Sequence, residues 1–165
     1  MSSSGKKVLV LNGPNLSRLD IRDHSHYGDL NWDQLKNLIE TSAREFGFEA
    51  DVRQSDDEAT LVSWLHEAAD NHLPVVINPA AFTHYSIAIH DAAEMVKAPL
   101  IEVHLSNPLA REEFRHTSLI SGVCKGIIAG FGMMILAYFI SKNEAVTVLP
   151  REKSSQIIKS AFNVL

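Results

Sequence analysis

Hydrophobic and polar positions along this chain fall into short blocks whose periodicity alternates between that of a strand and that of a helix. Runs of five to seven residues with apolar, mostly β-branched or Leu side chains predict buried β-strands. The predicted strands cover residues 6–11, 48–53, 74–78, 99–104 and 123–129. The first run closes on Asn12-Gly13-Pro14-Asn15, a sequence that favours a turn.

Between the strands, apolar residues recur every three or four positions, which predicts amphipathic helices. The first helix begins after Asn31 and ends near Gly47, which is suited to a C-terminal cap. Ser55 followed by Glu58 fits a capping box for the second helix. Two further helices are predicted over residues 83–97 and 133–142.

The regular alternation of strands and helices predicts a parallel sheet covered on both faces, because each crossover places a helix against the sheet. We therefore expect an α/β protein with a flavodoxin-like, doubly wound, five-stranded parallel sheet in three α/β/α layers. Residues 1–165 are expected to form one catalytic domain. Residues 144–165 are a C-terminal extension of unassigned role.

Composition narrows the range of partners. The 165 residues are 45% hydrophobic and carry a formal net charge of −5 without a basic cluster, which argues against a nucleic-acid partner. No apolar run is long enough to span a membrane, and no signal sequence is recognised, so a cytoplasmic enzyme acting on a small molecule is expected. The single cysteine, Cys124, is interpreted as a residue of a buried strand rather than a reactive thiol.

Polar residues follow three of the predicted strands at their carboxyl ends, where open parallel sheets bind ligands. Asn15 follows the first strand, Asn78 and His84 follow the third, and His104 and Asn107 follow the fourth. Either histidine could exchange a proton near neutral pH. The asparagines could donate and accept hydrogen bonds to a polyhydroxylated ligand.

Two residues of the loop after the first strand could supply a base. Arg22 lies five residues before Tyr27, and a nearby guanidinium favours phenolate over phenol. Taken singly, each candidate also has a structural interpretation, since a loop tyrosine is usually a surface residue and a lone histidine usually a hydrogen-bond partner. Their convergence on one sheet edge is what indicates acid–base chemistry.

Other chemistries fit the sequence less well. The histidines lack the spacing of a zinc site, and no dinucleotide or Walker glycine pattern follows the first strand, so neither a metal nor another cofactor is expected. Schiff-base catalysis remains an alternative, because Lys125 is the one lysine with apolar neighbours.

Five ordered blocks of the chain resemble the type II 3-dehydroquinate dehydratases from about residue 7 to residue 143. The blocks are Leu11-Asn-Gly-Pro-Asn15-Leu16, Arg22 with Tyr27-Gly28, Asn78-Pro79 with Phe82-Thr83-His84, Glu102-Val-His104-Leu-Ser106-Asn107, and Arg111-Glu-Glu-Phe-Arg115-His116. The resemblance implies dehydration of 3-dehydroquinate to 3-dehydroshikimate through an enolate, without a metal or a Schiff base. The reaction would serve the shikimate pathway, in aromatic biosynthesis, or quinate breakdown.

The resemblance also implies roles for individual residues. Tyr27 would be the base, Arg22 would lower its pKa, and Asn15 would orient a water that stabilises the enolate. His104 would be the general acid, supported by Glu102. The implied substrate-binding residues are Asn78, His84, Arg115, the backbone amides of Leu105 and Ser106, and Asp91 from a neighbouring subunit. Trimers would associate into a homododecamer.

Several positions depart from the pattern of that family. Asp20 and Ala80 replace usual glycines, Asp23-His24 replaces a common Glu-Pro, Tyr85 replaces a threonine, and His90 replaces an arginine. An added carboxylate near Arg22 could weaken its effect on Tyr27. A catalytically weak or silent homologue that binds a cyclic polyol acid is therefore a second hypothesis.

Overall fold

In the computed structural model, which describes residues 6–22, 31–130 and 132, five parallel strands form one sheet in the order β2-β1-β3-β4-β5. The strands are β1 (Lys6–Asn12), β2 (Phe48–Gln54), β3 (Val75–Asn78), β4 (Leu100–His104) and β5 (Gly126–Ala129). The chain moves from β1 to one side for β2 and to the other for β3. This order confirms the predicted doubly wound sheet and places its switch point between β1 and β3.

In the described part of the chain three α-helices pack on the sheet, namely α1 (Trp32–Glu45), α2 (Glu58–Asp70) and α3 (Ile87–Met95). Successive residues of a strand point to opposite faces, so β1 feeds two cores. Val8 and Val10 belong to the core beneath α1, whereas Leu9 and Leu11 belong to the core beneath α2 and α3. Helices on both faces of the sheet give the predicted three layers.

The helix boundaries follow local capping chemistry, and the prediction was wrong at two of them. Asp57, not Ser55, caps α2, because its carboxylate accepts from the backbone N–H of Thr60 at 2.9 Å. The predicted third helix is broken into a short 3-10 helix (Ala80–His84) and α3. Ser86 caps the amino terminus of α3, because its side chain accepts a hydrogen bond from the N–H of Ile89. The helix predicted over 133–142 lies outside the described residues.

Cys124 and Lys125 lie just before β5 rather than within it, because the strand begins at Gly126. Burial, reinforced by the negative charge of Glu102, raises the pKa of the Cys124 thiol to about 12. The thiol is thus protonated at neutral pH, which agrees with an unreactive cysteine. Lys125 is exposed, and its N–H donates to Leu100 at the amino end of β4.

Within the described residues, none of the helices has both the length and the apolar character needed to cross a bilayer. The longest of the three α-helices contains 14 residues. Its inward face carries Leu35, Ile39 and Ala43 against the sheet.

Candidate active site

A cleft of about 130 Å³ opens at the carboxyl ends of β1, β3 and β4, beside the switch point. Eight of the predicted site residues line it: Asn15, Arg22, Asn78, His84, His104, Leu105, Ser106 and Arg115. The sheet therefore gathers residues from four separate segments of the chain. Tyr27, which is the predicted base, lies outside the described residues.

The floor of the cleft is built where the loops after β1 and β3 cross. The N–H of Gly13 donates to the carbonyl of Asn78 at 2.8 Å. A Cβ at Gly13 would lie 2.5 Å from the Pro79 carbonyl oxygen, so only glycine permits this close approach. The crossing brings Asn15 and Asn78 to the same cleft.

Asn15 is held by its backbone rather than by its side chain. It adopts a left-handed conformation with φ 66°, and its N–H donates to Asp56 Oδ1 at 2.8 Å. Gln54 Nε2 donates to the same oxygen and also to the Gly13 carbonyl, at 2.9 Å and 3.2 Å. Because the Asn15 side chain makes no capping hydrogen bond, its amide is left to act in the cleft.

Asn78 and His84 are oriented by backbone groups. Asn78 Oδ1 accepts from the N–H of Ala80 at 3.2 Å, which leaves the amide N–H groups as donors toward a ligand. His84 Nδ1 donates to the carbonyl of Thr117 at 2.7 Å. The neutral ring therefore presents Nε2 as an acceptor, so Asn78 can offer a donor and His84 an acceptor to a hydroxyl of a ligand.

His104 and Glu102 form a pair on β4, because residues two apart on a strand share a face. His104 Nε2–H donates to Glu102 Oε1 at 2.7 Å, and the two side chains are 8% and 0% exposed. Nδ1 is then the ring nitrogen that can exchange a proton in the cleft. A carboxylate in this position fixes the ring and stabilises the imidazolium.

Burial acts to raise the pKa of Glu102, but hydrogen bonds from His104, Ser121 and Thr83 outweigh it and leave the pKa below its usual value. Thr83 Oγ1 donates to Glu102 Oε1 at 2.5 Å, and Ser121 Oγ donates to Oε2. Thr83 lies in one of the family-like blocks, whereas nothing in the sequence marks Ser118 and Ser121, which complete this cluster.

Arginines give the cleft a positive wall suited to an anionic ligand. Arg22, Arg111 and Arg115 all line it. Arg115 Nε donates to Glu112 at 2.7 Å, and its guanidinium lies 4.9 Å from the Phe114 ring centroid. Arg111 Nη1 lies 3.4 Å from Ser106 Oγ. Sequence reasoning placed Arg111 in a block without assigning it to the site.

Other candidates lie away from the cleft. Asn107 caps the 3-10 helix Pro108–Ala110 by accepting from the N–H of Leu109 at 3.1 Å. Asp91 is exposed on α3 and lies 2.9 Å from His90 Nδ1, so it does not serve the cleft of its own chain. Lys125 lies at the opposite end of the strands, which removes the Schiff-base alternative.

Asp20 and His116 can also be placed. Asp20 Oδ1 lies 4.0 Å from Arg18 Nε, and both side chains are exposed. His116 Nε2 donates to the Arg111 carbonyl at 3.1 Å. Within 6–22, 31–130 and 132, no group of three or more His, Cys, Asp or Glu side chains is arranged to hold a metal ion.

The fold and the cleft together define an α/β enzyme with a histidine–carboxylate pair and a cationic binding wall. The family model for class II dehydroquinase matches residues 6–143. A 3-dehydroquinate dehydratase from Salinispora tropica is 53% identical over 127 residues, covering 77% of this chain and 89% of the relative. One from Mycobacteroides abscessus is 48% identical over 138 residues, covering 81% and 96%.

Solved structures agree. The type II dehydroquinase from Propionibacterium acnes superposes with a TM-score of 0.82 at 48% identity, covering 85% of this chain and 97% of that one. The type II dehydroquinase from Butyrivibrio crossotus gives 0.78 at 42% identity, covering 84% and 99%. This chain therefore belongs to the class II dehydroquinase family and is a lyase with dehydroquinate dehydratase activity.

Proposed function

We propose that this chain converts 3-dehydroquinate to 3-dehydroshikimate in two steps, with Tyr27 as the base and His104 as the general acid. The observation that carries the proposal is the His104–Glu102 pair, which places a proton-exchanging imidazole at the carboxyl end of β4 beside an arginine-lined cleft. The substrate is an anionic, polyhydroxylated ring, and the cleft offers cationic, amide and imidazole groups to match it.

In the first step the Tyr27 phenolate removes a proton from C2 of the substrate. The C–H electron pair forms the C2–C3 double bond, and negative charge develops on the C3 oxygen as an enolate. Arg22 lowers the pKa of Tyr27 by favouring the phenolate. Asn15 orients a water that stabilises the enolate oxygen, since its side-chain amide is not consumed by helix capping.

In the second step the enolate collapses to the ketone, the C1–C2 double bond forms and the C1–O bond breaks. His104 gives its proton to the departing hydroxyl, which leaves as water. Glu102 remains ionised and stabilises the imidazolium before this transfer. The Tyr27 hydroxyl then gives its proton to solvent and His104 takes one from solvent, so the enzyme is restored without a cofactor.

Binding groups surround the reacting atoms. The backbone N–H groups of Leu105 and Ser106 receive the substrate carboxylate, and both residues line the cleft. Asn78, His84 and Arg115 bind the ring hydroxyls. The hydrogen bonds that orient Asn78 and His84 support this assignment. Asp91 of one subunit completes the site of its neighbour, consistent with its exposed position outside its own cleft.

At the cellular level we assign the reaction to the shikimate pathway, or to quinate breakdown, which uses the same conversion. We further propose a cytoplasmic homododecamer built from trimers. Residues 1–165 then form a single catalytic domain, and residues 144–165 extend beyond its core. Gel filtration with light scattering measures the assembly, and a mass of three or twelve chains is expected.

The mechanism is tested with Tyr27→Phe and Arg22→Ala, assayed by the near-ultraviolet absorbance of the enone product. Both should lose turnover while remaining folded by circular dichroism. Two substitutions serve as matched controls. Tyr85→Phe changes an exposed tyrosine, and Arg18→Ala changes an arginine of the 3-10 helix Leu16–Ile21 whose side chain is 60% exposed. Unchanged turnover in Tyr27→Phe would contradict the assignment of Tyr27 as the base.

The alternative is a silent homologue, and the departures near Arg22 motivate it. The carboxylate of Asp20 introduces a negative charge two residues before Arg22. Tight binding of 3-dehydroquinate measured by calorimetry, without turnover, would favour this alternative.

A further inference from the structure

Three hydroxyl groups enclose the buried carboxylate of Glu102 on the side away from the cleft. Thr83 Oγ1 lies 2.5 Å from Oε1, Ser121 Oγ contacts Oε2, and Ser118 Oγ lies 3.3 Å and 3.4 Å from the two oxygens. Thr83 and Ser118 are themselves 2.7 Å apart. We call Thr83, Ser118 and Ser121 the hydroxyl cluster.

The two segments that carry the cluster are joined through the backbone. The N–H of Leu119 donates to the Thr83 carbonyl at 2.8 Å, and the N–H of Ser121 donates to Ser118 Oγ at 2.9 Å. The loop from Thr117 to Ser121 is thereby seated against the 3-10 helix Ala80–His84, so the cluster forms through long-range packing.

The number of hydroxyl protons limits which atoms of the cluster donate and which accept. Each hydroxyl has one proton to donate. Thr83 gives its proton to Glu102 Oε1 and Ser121 gives its proton to Oε2. Ser118 accepts from the Ser121 N–H, and its own proton can go to Thr83 Oγ1 or to Glu102. His104 Nε2–H adds a further donor on Oε1.

Thr83, Ser121 and the His104 Nε2–H can all donate to an ionised Glu102, whereas a protonated Glu102 would have to give up one of these hydrogen bonds. This arrangement favours the ionised form even though the side chain is 0% exposed. The His104 ring then has a fixed negative charge beside its Nε2–H, while Nδ1 is left to act in the cleft.

The other titratable groups around the pair come from two directions. Cys124, from the segment before β5, interacts electrostatically with Glu102 and carries a thiol protonated at neutral pH. On the cleft side Arg22, Arg111, Arg115 and His84 line the same cavity as His104. These are the titratable and charged groups that surround the pair, on the cleft side and behind it.

We propose that Ser121, together with Thr83 and Ser118, positions Glu102 as an ionised acceptor and thereby sets the orientation and the proton affinity of His104. Ser121 is a positioning residue, since it contacts neither substrate nor the reacting atoms. The expected effect of Ser121 on turnover rests on the proposed role of His104 as the general acid. The expected effect of Ser121 on the titration of His104 does not depend on that role.

The variant that tests the proposal is Ser121→Ala, which removes the donor to Glu102 Oε2. Without the Ser121 hydroxyl, the Glu102 carboxylate has one hydrogen-bond donor fewer and therefore stabilises the His104 imidazolium more strongly. The titration midpoint of His104 should then rise by about half a pH unit or more. Nitrogen-15 NMR of the histidine rings measures that midpoint without turnover. The kcat should fall about tenfold with little change in KM, because ring orientation affects proton transfer more than binding.

Two matched comparisons separate this role from folding. Ser121→Thr retains the hydroxyl and should restore most of the kcat and the His104 midpoint. Ser63→Ala removes an exposed serine hydroxyl that donates to the Ala59 carbonyl on α2, and it should leave both unchanged. If Ser121→Ala does not fold, Thr83→Val, which keeps the shape, is compared with Thr83→Ser, which keeps the hydroxyl.

The proposal is overturned if the alanine variant, or Thr83→Val in its place, is folded and shows the wild-type His104 midpoint and kcat. A shifted midpoint with unchanged kcat would support the cluster but contradict His104 as the general acid. The two claims therefore fail by different results.

Discussion

Glu102 and His104 lie two residues apart on β4, and the histidine Nε2–H donates to the buried carboxylate at 2.7 Å. The arrangement gives the ring one defined orientation, with its second nitrogen toward the cleft. Because β4 is paired with a strand on each side, the pair is held with little freedom. This relationship leads to the first prediction.

Replacing Glu102 with glutamine should lower both the apparent pKa of His104 and the rate. A neutral amide does not stabilise the imidazolium, so the basic limb of the profile of kcat against pH should move down by about one unit or more. The measurement is kcat from pH 5 to 9. An unchanged basic limb would show that the carboxylate does not act through His104.

The left-handed conformation of Ala80 should be relieved by glycine. Ala80 has φ 52°, in the left-handed region that favours glycine. Relief of the left-handed strain is worth about 1–2 kcal/mol, whereas the added freedom of the unfolded chain costs about 0.4–1 kcal/mol. Ala80→Gly should therefore raise the free energy of unfolding by about 0.5–1 kcal/mol, measured by urea denaturation.

The neighbouring alanine provides the control for that substitution. Ala81 follows Ala80 in the same 3-10 helix and is not among the left-handed residues. Ala81→Gly should lower the free energy of unfolding by about 0.5–1 kcal/mol. Equal effects of the two glycines would contradict strain at Ala80.

Loss of the Asp56 carboxylate should loosen the turn that presents Asn15. Asp56 Oδ1 accepts from the Asn15 N–H and from Gln54 Nε2, at 2.8 Å and 2.9 Å. Asp56→Ala should lower kcat/KM several-fold and cost about 1 kcal/mol of stability, whereas Asp56→Asn, which keeps one acceptor oxygen, should cost less. Steady-state kinetics with both variants decides whether this anchor matters for turnover.

Arg53 should stabilise the fold above pH 4 and progressively less below it. Its guanidinium donates to Asp51 and to Glu67, at 2.6 Å and 2.5 Å, and joins β2 to α2. Mainly through hydrogen bonding to Arg53, the pKa of Asp51 is lowered to about 2. Because the folded pKa lies below the unfolded one, this stabilisation is present above about pH 4 and disappears as pH falls toward 2.

The test compares the free energy of unfolding of Arg53→Gln with wild type between pH 3 and 7. The deficit of the variant should be largest near neutrality and shrink in acid. Arg44→Gln is the control, since Arg44 donates to Thr41 within α1. A deficit that is constant with pH would mean that packing, and not charge, explains the role of Arg53.

Much of the fold could be predicted from the sequence because its signals are local and repeated. Each strand was found within a few residues of its observed bounds, since the strands are short apolar runs between polar turns. The N-terminal cap of α2 was predicted wrongly because Ser55 and Asp57 are both suitable capping residues. Which of them caps the helix depends on where the chain leaves β2. The break before α3 was missed because the apolar spacing continues through it.

The site was predictable where one strand end or one block carries the chemistry, as with His104, Asn78 and Arg115. The hydroxyl cluster was not, because Ser118 and Ser121 reach Glu102 only through packing of a loop against the segment Ala80–His84. The positioning of Asn15 by Asp56 was missed for the same reason, as these residues are 41 apart in the chain.

The most direct measurement is turnover of 3-dehydroquinate by the purified wild-type protein and by His104→Gln, followed by product absorbance, with substrate binding measured in parallel. We expect turnover by wild type, and a loss of about 10²–10⁴-fold in kcat in the variant with binding retained, as for removal of a general acid. Turnover by His104→Gln at the wild-type rate, or binding without turnover by wild type, would contradict the assignment of this cleft.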